Sequence, residues 1–332
     1  MALKWRGFGR LLWAAPLLLG AGQPALAKEA PRAAKESGSK GAEAAAPAPK
    51  PVVQDYPPRP AIWLLEDDDT RIYLFGTIHM LPPGFKWRSP ALEGALNGSD
   101  ALVVESYSTA EEELAMEAQV LPLLMLPKPR PFLKRFPKKD RAAIREGIRQ
   151  SGIPSESLAM MQTWAGGMMI GLAGLIEDYG ADSPDDVPGV EDVLEAEFKA
   201  AGKPILSIEE PIAVLRSISA LPEEVQIAMM TAQEPDGPAT EAEAEAEAAD
   251  EKNLHDWAQG RPEGLTRDIE GLPAEMYEVL VTRRNAAWTE WLSRRLEKPG
   301  TIFVAVGAGH LAGADSVQAM LEKRGLQAKR FD

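Results

Sequence analysis

Two stretches far apart in the chain are built alike, and together they restrict what it can fold into. Residues 71–83 read RIYLFGTIHMLPP, and residues 301–313 read TIFVAVGAGHLAG. Each is an apolar run of β-branched and aromatic residues, then Gly-x-x-His, then Leu one or two places on. The first copy runs from Gly76 to His79 and the second from Gly307 to His310. Runs such as IYLF and IFVAV are long enough for a buried strand and too short for a helix. A glycine just past the strand lets the backbone turn or approach another group closely. Each histidine then falls on a loop at its strand's end, and in open α/β sheets ligands bind at that edge. The chain has three histidines, and two of them sit in this setting. Two imidazoles at one edge can share a metal ion, or act as a base and an orienting group.

The segments between alternate strand and helix. Residues 62–65 (IWLL), the acidic turn 66–69 and the strand 71–75 read as a β-hairpin. Residues 89–95 start a helix with Pro90 at its first position. Residues 101–105 (ALVVE) then give a buried strand ending on Glu105. Strand, helix, strand predicts that 101–104 lies parallel to and beside 72–75, with Glu105 at the same edge as His79. Residues 110–176 are mostly helical. The apolar, Met- and Gly-rich run 158–176 is as long as a membrane span, but Gln162, Thr163 and its glycines favour a core helix or a groove wall. Residues 190–201 form an amphipathic helix, and 204–208 (PILSI) form another strand ending in Glu209 and Glu210. Residues 274–296 form a long helix on whose apolar stripe Arg284 falls, beside Asn285. An arginine on a buried face requires a carboxylate, a phosphate or a substrate as partner. A final helix covers 315–324, and 327–331 adds an edge strand.

The start of the chain is of another kind. Residues 1–27 have the basic start, apolar core and Ala25-Leu26-Ala27 cleavage site of a secretory signal peptide. A periplasmic or secreted location, with no stable membrane span after cleavage, is the expectation. Residues 28–60 read as a disordered Ala-, Pro- and Lys-rich linker, so the folded domain spans 61–332. Residues 234–251 (EPDGPATEAEAEAEAADE) interrupt it as a solvated, acidic low-complexity insertion. His255, just beyond, lacks the Gly-x-x-His setting and reads as a surface residue.

Charge and residue usage narrow the chemistry. A net charge of -14 argues against nucleic acid or anionic lipid as the main partner. With no cysteine in the chain, disulfides, thiolate metal sites and a Cys nucleophile are excluded. Any metal must be held by histidine and carboxylate, which suits Mn, Co or Zn among others.

GTIHMLP (76–82), VVES (103–106), the helix–GKP–strand–IEEP stretch (189–211), RRNAAW (283–288) and VAVGAGHLAG (304–313) together resemble the TraB/PrgY/GumN family, whose animal members are the TIKI proteases. The match covers roughly residues 62–331. The resemblance implies an α/β fold related to the ChaN-like and erythromycin-esterase-like proteins: a central mixed, partly parallel sheet flanked by helices, with the paired strand–Gly-x-x-His units at one sheet edge. For the TIKI branch it implies metal-dependent peptide hydrolysis. Carried over, His79, Glu105 and His310 are the expected ligands of a divalent Mn, Co or Zn ion, and Glu209, Arg284 and Asn285 the expected catalytic residues. Glu210 stands where the family has Thr, so the division of ligand and base among Glu105, Glu209 and Glu210 stays open. The leading expectation is a secreted or periplasmic metal-dependent hydrolase of the metallopeptidase kind, acting on a peptide or envelope-derived substrate. The rivals are a metal-independent, esterase-like hydrolase and a non-catalytic periplasmic binding protein of the GumN type, linked to exopolysaccharide or the envelope.

Overall fold

The structure is a computed structural model that describes residues 52–181, 183–231, 239–266, 269 and 271–331. The expected leader and most of the expected linker lie outside these residues.

Among the described residues six strands make one mixed sheet: β1 (Ile62–Glu66), β2 (Thr70–Thr77), β3 (Ala101–Val104), β4 (Ile205–Ser207), β5 (Gly300–Gly307) and β6 (Lys329–Arg330), in the order β4-β3-β5-β2-β1-β6. β4, β3, β5 and β2 are parallel; β1 returns antiparallel on β2, and β6 on β1. The hairpin joining β1 to β2 closes through Asp67, whose carboxylate accepts from Thr70 N at 2.9 Å, a local bond that favours turns. Side chains alternate between the faces. Phe75, Leu102, Val104 and Phe303 enter one core with Leu92, Leu194 and Trp257. Ile72, Leu74, Val103 and Val304 enter the other with Trp288 and Leu292. Both faces are covered, so these strands read as unbroken apolar runs.

Helices supply the cover. α1 (Pro90–Gly98) joins β2 to β3. α2 (Ala110–Leu124), α3 (Arg141–Ser151), α4 (Ser155–Met160) and α5 (Thr163–Asp178) follow β3. α6 (Val190–Ala200) leads into β4, and α7 (Ala213–Ser219), α8 (Glu223–Thr231) and α9 (Ala239–Ala258) come after it. α10 (Ala274–Tyr277) runs through a π-helical turn, Glu278–Thr282, into α11 (Arg283–Arg295); α12 (Val317–Glu322) follows β5. A separate helical core forms around Phe136, Leu158, Trp164, Leu215 and Met276.

Four expectations need correction. β3 does not pair with β2: β5 lies between them, with Ile302 opposite both Ile72 and Ala101. A crossover leaves room for a strand arriving later from the chain's far end, which local sequence does not announce. The run 158–176 is two helices, split where Gln162 N donates to Leu124 O at 2.7 Å. Among the described residues no helix is long and apolar enough to cross a membrane. Part of the expected linker is packed: Gln54 pairs with both backbone groups of Lys86, at 2.6 and 2.9 Å. His255 is half-buried rather than on the surface, and its Nδ1 lies 2.6 Å from Tyr56 Oη. The insertion's end, from Ala239, is helical and continues to Ala258. There Trp257 anchors it by donating Nε1 to Gly76 O at 2.8 Å.

Candidate active site at the carboxyl edge of the sheet

β2 and β5 run side by side in parallel, with Gly76 opposite Val306 and Thr77 opposite Gly307. Their two Gly-x-x-His units therefore leave the sheet together. Gly76 is required by closeness: a Cβ there would stand 2.8 Å from Ala308 Cα. β3 ends in the same place with Glu105, and the turn after β4 supplies Glu209. Arg284 and Asn285 come from α11 in the layer covering this edge. The π-helical turn immediately before α11 carries an extra residue, a device that re-aims the side chains following it.

Arg284 is the hub. It is 5 % exposed. Its Nε donates to Glu209 Oε2 at 3.0 Å, and its Nη2 to Glu209 Oε1 at 2.6 Å and to Glu105 Oε2. Nη1 donates to His310 Nε2 at 3.0 Å and to Leu280 O at 3.3 Å. Trp288 underlies the guanidinium with its ring centre 4.7 Å away. The same indole donates Nε1 to Glu209 Oε2 at 3.1 Å and lies 4.4 Å from the His310 ring. Glu105 is 4 % exposed and accepts from Gly307 N at 2.7 Å through its other oxygen. Glu210 points away, bonded to Arg216 on the surface at 2.9 Å. Of the two adjacent glutamates, Glu209 is the one that faces the site.

The two histidines are held differently. Asn285 donates Nδ2 to Asp315 O at 2.7 Å. That leaves its Oδ1 to accept from His310 Nδ1, 2.6 Å away, and assigns the lone pair of His310 to Nε2. Burial pushes the imidazole down to about 3, with the Arg284 charge acting in the same direction, so His310 is neutral. His79 instead donates Nδ1 to Glu191 Oε1 at 2.7 Å, and Thr77 Oγ1 donates to the same oxygen. Burial lowers the pKa of His79, but the Glu191 carboxylate, with Glu105 and Asp192 behind it, outweighs that and raises it above the ordinary 6.5. The carboxylates are also split. Burial opposes ionisation of both, yet Arg284 and the histidines hold Glu105 down at about 2, while Glu209 is raised. Environments that pull like groups apart are characteristic of catalytic sites.

Glu191 is the residue that sequence reasoning missed. It sits in the first turn of α6, where the helix dipole favours an acid. α6 is pressed onto the His79 loop: Val190 N donates to Ile78 O at 2.9 Å. A Cβ on Gly189 would stand 2.3 Å from His79 O. The glycine before an acidic helix start was the available signal, and it looks like any helix N-terminus.

The expected metal ligands are brought to one edge, and two imidazoles with carboxylates are the right donor types for Zn, Mn or Co. Their arrangement does not fit an ion. Among the described residues no three His, Asp or Glu side chains form a group able to hold a metal. Arg284 already engages Glu105, Glu209 and the lone pair of His310.

The family model described as the TraB/PrgY/gumN family matches residues 61–330. No curated protein and no solved structure matches the chain.

Proposed function

The chain belongs to the TraB/PrgY/gumN family, and from that premise and the buried cluster we propose that it is a hydrolase in which His79 activates a water molecule. The observation that carries this reading is the His79–Glu191 pair, 2.7 Å apart at the end of β2. A carboxylate on Nδ1 fixes the tautomer and turns Nε2 into the base, which is the logic of a His–carboxylate dyad. His79 takes the proton as water attacks an ester or amide carbonyl. Glu191 steadies the imidazolium, which then returns the proton to the leaving group. Arg284 holds Glu105, Glu209 and His310 as one rigid wall of the site. The substrate class is a peptide or envelope-derived molecule, met outside the cytoplasm behind the leader expected over residues 1–27.

The second reading keeps a divalent ion on His79, Glu105 and His310. Charge favours it: Glu105, Glu191 and Glu209 set three carboxylates against the one guanidinium. It requires Arg284 to withdraw from its partners.

One assay separates them: hydrolysis of ester and peptide libraries by the purified chain, before and after chelation. The expected result is activity that survives chelation, is abolished in His79→Ala and falls about 100- to 10,000-fold in Glu191→Gln. Activity lost on chelation and restored by Mn, Co or Zn would establish the second reading. Tight ligand binding with no turnover in any form would make the chain a binding protein.

A further inference from the structure

We infer that the chain docks on an anionic lipid bilayer through one basic and apolar face of its helical layer, built from the end of α2, residues 127–139 and the outer side of α3. The inference stands apart from the reaction proposed above, because its readout is vesicle binding without turnover.

Residues 128–149 hold nine Lys and Arg against two acids, Asp140 and Glu146, a net charge of +7 in a chain of -14. Screening confines an exposed charge to about 10 Å at 0.1 M salt, so a surface answers to its own charges and not to the chain's total. The fold gathers these cations. Arg141, Arg145 and Arg149 follow one another a helical turn apart on α3, opposite the buried Ala143, Ile144 and Gly147. Arg141 donates Nη2 to Lys134 O at 3.2 Å, which seats Lys134 at the start of that stripe. Arg135 donates Nη2 to Arg130 O at 2.8 Å, which brings Arg130 and Lys128 alongside. Arg130 pairs with Glu223 at 2.9 Å and Arg149 with Glu146, and Lys139 lies 3.9 Å from Asp140. Lys128, Lys134, Lys138 and Arg145 are exposed, and among the described residues none has a carboxylate partner.

Apolar side chains stand beside the cations. Leu121 is 49 % exposed near the end of α2, and Met160 is 36 % exposed. Met160 O accepts from Leu126 N at 2.6 Å, and the neighbouring Ala159 O from Arg130 N at 2.8 Å. Gln162 donates Nε2 to Pro122 O at 3.3 Å, tying the end of α2 to the same segment. The glutamates of α2, from Glu111 to Glu117, lie in its first half. Exposed apolar groups among Lys and Arg match a lipid interface: the apolar groups enter the acyl boundary while the cations meet headgroup phosphates. A soluble polyanion would use the cations alone and leave Leu121 and Met160 in water, so lipid is the better fit.

The test is sedimentation of the purified full chain with phosphatidylglycerol vesicles, phosphatidylcholine vesicles and dextran sulfate beads. The chain is expected to pellet with phosphatidylglycerol at 0.1 M salt, not with phosphatidylcholine, and to be released at 1 M salt, where screening acts within about 3 Å. Lys128→Gln, Lys134→Gln, Lys138→Gln and Arg145→Gln each weaken vesicle binding about 5-fold, and together at least about 100-fold. Leu121→Ser with Met160→Ser weakens vesicle binding about 10-fold and leaves bead binding unchanged. All six are exposed positions, and circular dichroism checks that each variant is folded. No pelleting with phosphatidylglycerol overturns the inference. So does binding that survives in the fourfold variant, which would belong to the leader expected over residues 1–27, common to every variant. Vesicle binding unaffected by Leu121→Ser with Met160→Ser overturns it in favour of an acidic macromolecule. Since no step requires hydrolysis, failure here is distinct from failure of the proposed reaction.

Discussion

Glu191 occupies a place in its helix where an acid is ordinary, since the positive end of the helix dipole attracts one. Only the fold turns it toward His79. This residue gives the sharpest kinetic prediction. A base must be neutral to act, and Glu191 raises the pKa of His79 above 6.5. The pH–rate profile is therefore expected to rise through a limb above 6.5, and Glu191→Gln to move that limb to lower pH. A limb that stays in place would remove Glu191 from the mechanism. Other residues were legible earlier for physical reasons. His79 and His310 stand in a repeated pattern that needs no knowledge of the fold. Arg284 betrayed itself as a charge on an apolar stripe, which demands a buried partner. Choosing between Glu209 and Glu210 needed the structure, because adjacent residues after a strand diverge and sequence does not say which one turns inward.

Helix and strand placement sets these contacts, and Gly189 shows how tightly. The start of α6 touches the His79 loop with no space for a side chain. Gly189→Ala is expected to destabilise the fold by about 1–3 kcal/mol and to lower activity by shifting the His79–Glu191 pair. Gly94→Ala is the control: a Cβ there meets nothing within 4 Å, so helix propensity makes it neutral or stabilising by about 1 kcal/mol. Thermal unfolding of both variants checks the contrast, and equal midpoints would contradict it. At this scale the hairpin, the strands β2, β3, β4 and β5 and the helix carrying Arg284 were legible from apolar period and turn residues. The place of β5 between β2 and β3 was not, because strand order depends on pairings between distant segments. Nor was the π-helical turn at Glu278–Thr282, since no residue type marks a turn that holds one extra residue.

Across the whole molecule the buried cluster links proton binding to stability. Glu105 and His310 have folded pKa values below their unfolded ones, so their contributions are present at higher pH and are lost as pH falls. For His310 the loss runs from 6.5 down to about 3, and for Glu105 from 4.5 down to about 2. His79 has the opposite sign: its contribution is complete below 6.5 and is lost as pH rises through its raised value. Denaturant midpoints are thus expected to fall steadily below pH 6.5. His310→Gln, which cannot titrate, removes up to about 5 kcal/mol of that pH dependence; an unchanged slope would contradict the burial of a neutral His310. Because the chain has three histidines, an imidazole NMR titration resolved by single-histidine variants tests the central claim most directly. The predicted result is His79 titrating above 6.5 and falling in Glu191→Gln, with His310 silent until about 3. A His79 that titrates below 6.5 and ignores Glu191→Gln, or a His310 that titrates near neutrality, would contradict the arrangement on which the proposed chemistry rests.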